Sequence, residues 1–63
     1  MVKLGRAYIR NSGKRIGTEV LTQELVKVRV GSEWVDGVKY VEGSVWRYVR
    51  TIEDFNKNFD ALG

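Results

Sequence analysis

Ser44-Val45-Trp46-Arg47-Tyr48-Val49-Arg50 runs directly into Thr51-Ile52-Glu53-Asp54-Phe55-Asn56-Lys57-Asn58-Phe59-Asp60-Ala61-Leu62, and the hydrophobic period changes at the join. The first half is dense in aromatic and β-branched residues, the composition of a strand. In the second half Ile52, Phe55, Phe59 and Leu62 fall at i, i+3, i+7 and i+10, one apolar stripe of a helix over about residues 52–62. Thr51 is placed to cap it, Asp54 stands at capping-box spacing, and Glu53 and Asp54 suit the positive end of the helix dipole. A helix of about eleven residues does not hold alone in water. Phe55 and Phe59 are therefore expected to pack on a sheet.

Working back towards the N-terminus, glycines punctuate short strands. Asn11-Ser12-Gly13-Lys14 reads as a first turn, Gly31-Ser32 suits a two-residue hairpin, and Asp36-Gly37 is a favoured turn pair. Glu42-Gly43-Ser44 supplies another turn. Gly31-Ser32 and Asp36-Gly37 lie too close together for both to be tight hairpins, so one is expected to be a bulge or bend within a longer, curled strand. The strands between are Gly5 to Arg10, Leu25 to Val30, Trp34 to Val41 and Val45 to Arg50. In Leu25 to Val30 the residues Val26, Val28 and Val30 share one face, with Lys27 and Arg29 on the other. Residues 18–28 admit two readings. Val20, Leu21, Glu24, Leu25 and Val28 fit a helical face capped by Thr18, but the β-branched content and the alternation after Glu24 favour a strand following a loose loop. The expected fold is mainly β: a strongly bent antiparallel sheet or SH3-like partly open barrel of four or five strands, closed by the C-terminal helix, in one domain of residues 1–63.

Composition narrows the function. A chain of 63 residues buries only about 60% of the surface it exposes when unfolded, so its core is small. There is no cysteine and no histidine, which removes disulfides, thiolate metal sites and the usual nucleophile–base pairs. Lys14 follows Gly13, but Arg15 replaces the hydroxyl residue of a phosphate loop and Tyr8 replaces its upstream glycine. Glu33, Asp36 and Glu42 match no calcium loop and are expected to be solvated acids beside glycine turns. Neither a cofactor nor a metal is expected, nor catalysis. No segment has the length of a membrane span, and a cytoplasmic setting is expected.

The net charge of +3 is unevenly placed. Lys3, Arg6, Arg10, Lys14 and Arg15 precede any acid, residues 16–50 balance, and the tail is acidic. Such asymmetry favours an anionic partner near the N-terminal end. On a strand, Trp46, Tyr48 and Arg50 share one face. Aromatic rings stack on bases while guanidinium groups meet phosphates, so this strand, with Lys27, Arg29 and the basic N-terminal residues, suits a single-stranded nucleic acid. The plainer reading assigns Trp46 or Tyr48 to a mainly structural part in the core and Lys27 and Arg29 to the wet side of a half-buried strand. Trp34, between Glu33 and Asp36, is the candidate for a protein contact; its plainer role is packing at the barrel edge.

Glu33-Trp34-Val35-Asp36-Gly37-Val38-Lys39-Tyr40, then Val45-Trp46-Arg47-Tyr48-Val49-Arg50-Thr51 and a helix with Asp54-Phe55 and Phe59, resembles small β-barrel proteins of tailed bacteriophages and prophages. In those a strand ending in Tyr-x-Arg leads into a helix with a Phe-x-x-x-Phe motif. The resemblance covers about half the chain and implies a setting, phage infection in the host cytoplasm, rather than an activity. The expected function is a non-catalytic accessory module that binds DNA or RNA. Lys3, Arg6, Arg10, Lys14, Arg15, Lys27, Arg29 and Arg50 would meet phosphate, with Trp46 or Tyr48 stacking. The alternatives are a module that contacts a host or phage protein, as an inhibitor of a host enzyme for example, and a self-associating structural component.

Overall fold

The structure, a computed structural model, describes residues 2–43 and 45–62. Ser44, expected to complete the turn after Glu42, lies outside them, as do Met1 and Gly63 at the ends of the expected domain. The chain forms β1 (Ala7–Arg10), β2 (Glu19–Val30), β3 (Glu33–Glu42), β4 (Trp46–Thr51), α1 (Ile52–Asn58) and β5 (Phe59–Ala61). All pairings are antiparallel, and the order across the single sheet is β4-β3-β2-β1-β5. The sheet curls without closing: β4 and β5 are its two edges, and α1 carries the chain from one to the other. This is the mainly β, partly open arrangement that the sequence predicts.

Of residues 18–28, all but Thr18 resolve as strand. β2 runs for twelve residues, with a register shift between Thr22 and Glu24 that leaves Gln23 as a bulge and helps the strand bend. Of the two neighbouring glycine pairs, Gly31-Ser32 makes the hairpin: Val30 faces Glu33, and Gly31 takes φ +63°. Asp36-Gly37 is instead internal to β3. A Cβ on Gly37 would overlap the Val28 Cγ2 methyl and lie 2.8 Å from the Arg50 carbonyl oxygen. Glycine is needed there for the close approach of β2 and β4 to β3, not for a turn.

The helix is shorter than its apolar stripe predicts. Thr51 caps it, its Oγ1 accepting from the Asp54 N–H at 3.1 Å. Asp54 does not complete the capping box; its carboxylate accepts from Arg50 and from the Asn58 side chain. The helix stops at Asn58, whose side-chain amide donates to the Asp54 backbone carbonyl at 2.8 Å, and Phe59 is already extended at φ −136°, ψ 142°. The free edge of β1 decides this. The Asn11 N–H donates to Asn58 O at 2.8 Å and the Leu62 N–H to Ala7 O at 3.1 Å, while Phe59, Asp60 and Ala61 pair with Arg10, Ile9 and Tyr8. A last helical turn would leave the Asn11 N–H and those β1 groups without these partners.

The core consists of Val2, Tyr8, Val20, Val38, Tyr40, Phe55 and Phe59. The Phe55 ring stacks on Phe59 at 4.5 Å between centroids and 9° between planes, and both rings meet Tyr40 at 5.2 and 5.3 Å. The valine face of β2 contributes less than its alternation predicts: Val26 and Val28 are half-buried and Val30 is exposed. At the other end of β2, buried Thr22 ties down the segment before β1. Its hydroxyl donates to the Lys3 carbonyl at 2.6 Å and accepts from the Arg6 N–H at 3.2 Å. Backbone bonds from the Gly5 N–H to Thr22 O and from the Thr22 N–H to Arg6 O complete the tie.

Gly37→Ala should therefore destabilise the fold by about 1–3 kcal/mol, the usual cost of overpacking. Adding Val28→Ala should restore part of the loss, since the Arg50 carbonyl stays in place; urea denaturation measures both. Thr22→Val keeps the shape but orphans the Lys3 carbonyl and the Arg6 N–H, and should cost about 1–3 kcal/mol by the same measurement.

Candidate functional site

Strand register builds the site. Tyr40 pairs with Tyr48, Glu42 with Trp46, and Val38 with Arg50, so Trp46, Tyr48 and Arg50 lie along one face of β4, as their alternation predicts. Arg10, the last residue of β1, faces Phe59 of β5. The loop from Asn11 to Thr18, with positive φ at Gly13 and Gly17, brings Arg15 across to β3 and β4. The outcome is a cleft of about 260 Å³ with Arg10, Arg15 and Arg50 around it. Tyr48, Glu42 and Thr18 line its sides, and the buried residues Val20, Tyr40 and Phe59 form its inner wall.

Each arginine is held differently. The Arg15 guanidinium donates to the Tyr48 hydroxyl at 3.4 Å and pairs with Glu42 at 2.9 Å. The Tyr48 bond and the Glu42 charge both raise its pKa above the ordinary arginine value. Arg50 is partly buried, which opposes its charge, yet bonds to Tyr40 at 2.8 Å and to Asp54 outweigh the burial and raise its pKa. Arg10 donates through Nε to the Ser12 carbonyl at 3.1 Å and lies over the Phe59 ring at 5.4 Å, with no acidic partner among the described residues. Arg15 and Arg50 therefore remain charged at any physiological pH.

The two tryptophans stand outside the core. Trp46 is 63% exposed at the end of the Tyr48–Arg50 face, opposite Glu42, and Trp34 is 64% exposed on the β2–β3 hairpin opposite Arg29. Neither takes the packing role that was the plainer expectation. The reason is that four aromatics, Tyr8, Tyr40, Phe55 and Phe59, already fill the interior. Tyr48 does take a structural part, half-buried and stacked on Tyr40 at 5.7 Å.

Of the basic residues expected to meet phosphate, the structure gathers Arg10, Arg15 and Arg50 at the cleft, with Lys14 exposed in the adjoining loop. Lys3 and Arg6 are exposed on the segment pinned to Thr22. Lys27 and Arg29 are exposed on the hairpin, where Lys27 pairs with Asp36 at 2.5 Å. Sequence reasoning missed Glu42, expected to be a solvated acid beside a turn. Its side chain is only 13% exposed and closes on Arg15. Parity was the available signal, since Glu42 is two residues from Tyr40 on the same strand face.

No family model, curated protein or solved structure matches the chain.

Because both indoles project from the fold, Trp34→Ala and Trp46→Ala should each change stability by no more than about 0.5 kcal/mol. Superimposable urea curves for the two variants and the parent protein are the expected result.

Proposed function

We propose that the protein is a non-catalytic module that binds single-stranded nucleic acid at this cleft. The observation that carries the reading is the convergence of Arg10, Arg15 and Arg50 on one cleft, with exposed Trp46 continuing the face of β4 on which Tyr48 and Arg50 stand. Guanidinium groups supply charge-assisted bonds to phosphate, and an exposed indole supplies a stacking surface for a base whatever its identity. The resemblance to small phage β-barrels supports an accessory role during infection of a host cell.

Affinity for a short single strand should fall as salt rises, with a log–log slope of about −0.7 for each phosphate charge neutralised. Reversing Arg10 and Arg15 to glutamate should weaken binding equally for all sequences, because phosphate contacts read no bases. Trp46→Ala should cost about 1–3 kcal/mol of binding with folding intact. Fluorescence anisotropy at several salt concentrations measures all three. Absence of binding at about 50 mM salt, where phosphate attraction is strong, would remove this reading.

Exposed Trp34 favours a second reading, a contact with a host or phage protein through the β2–β3 hairpin. In that case Trp34→Ala abolishes partner capture and Trp46→Ala leaves it intact.

A further inference from the structure

We propose that the cleft takes a phosphate monoester at the end of a nucleic-acid strand, and that Glu42 is the resident counter-ion with which this phosphate competes. The inference rests on the nucleic-acid reading above and narrows it from the strand at large to the strand's end.

Three observations lead to it. The first is that three cations border one cleft and the remaining ones do not extend it into a track. Arg10 comes from β1, Arg15 from the following loop and Arg50 from β4, yet all line a single cavity of about 260 Å³. Lys3, Arg6, Lys27 and Arg29 contribute nothing to its lining. Proteins that follow a strand along its length spread their cations along a groove.

The second is the inner wall. Val20, Tyr40 and Phe59 are no more than 4% exposed, so the cleft ends against the core. An internal phosphodiester must leave on both sides of its phosphorus, whereas a terminal group can point inward. A monoester also carries nearly two charges at neutral pH and three acceptor oxygens. The cleft offers matching donors: Arg10, without an acidic partner among the described residues, and the Tyr48 hydroxyl, which accepts from Arg15 and keeps its own proton to donate.

The third is Glu42. A carboxylate side chain only 13% exposed already sits on Arg15 at 2.9 Å, so the structure shows this cleft accommodating an anion of its own. Removing that charge should free Arg15 for the phosphate.

The test uses one twelve-nucleotide single strand bearing a 5′-phosphate, a 3′-phosphate or neither, with an internal fluorophore, and measures anisotropy. At least one phosphorylated form should bind about tenfold tighter than the unphosphorylated strand, the scale of added charge-assisted hydrogen bonds. Glu42→Gln should enlarge that advantage and Arg10→Gln should shrink it, with circular dichroism confirming that both variants fold. Equal binding of all three strands overturns the end-specific proposal and leaves general nucleic-acid binding in place. A phosphate advantage unchanged in both variants puts the phosphate elsewhere and likewise overturns it. Failure of every strand to bind removes both readings together.

Discussion

The stack of Phe55 on Phe59 joins the two edges of an unclosed sheet, and the remaining architecture is arranged around it. Phe55 sits on α1, which leaves β4; Phe59 opens β5, which pairs with β1. Their rings meet each other at 4.5 Å and both meet Tyr40 on β3, while Tyr8 on β1 meets Phe55 edge-on at 5.1 Å. A chain of this length has one small core and little stability to spare. Its aromatic cluster therefore does two tasks: it fills the interior, and it holds the strand edges at the distance that α1 can span.

That economy shapes the cleft. Tyr40 and Phe59 belong to the core and also form the inner wall of the arginine site. Arg50 donates to the Tyr40 hydroxyl, and Arg10 lies over the Phe59 ring. These two guanidinium groups are oriented by the same aromatic residues that stabilise the fold. Trp34 and Trp46 are left outside this cluster, with both indoles largely exposed.

Much of the fold was legible because it follows from local rules. Thr51 as a cap, Gly31-Ser32 as one of two candidate hairpin turns and the alternation of Lys27 to Val30 each depend on residues close in sequence. The same rules identified the shared face of Trp46, Tyr48 and Arg50. The helix end was not legible, for a definite reason: residue 59 points into the core whether the chain continues as a helix from Phe55 or turns extended beside β1. The apolar period therefore could not register the change. Glu42 was misread for a related reason, since its flanking turn suggested solvent while its neighbour across the cleft, Arg15, lies far away in sequence.

The sequence by itself determined β1, the second half of β2, β3, β4, the first turn of the helix, the identity of the cations and the absence of cysteine and histidine chemistry. These depend on composition and on periods that a few consecutive residues display. Only the tertiary structure decided which cations lie together. Curling of the sheet brings Arg10, Arg15 and Arg50 to one cleft from three separate segments, and leaves Lys3, Arg6, Lys27 and Arg29 outside it. It also decided that Gly37 marks a close crossing and not a turn, because the atoms that would collide with a side chain there belong to Val28 and Arg50 on neighbouring strands. Distances between strands are set by packing, and no local pattern of residues encodes them.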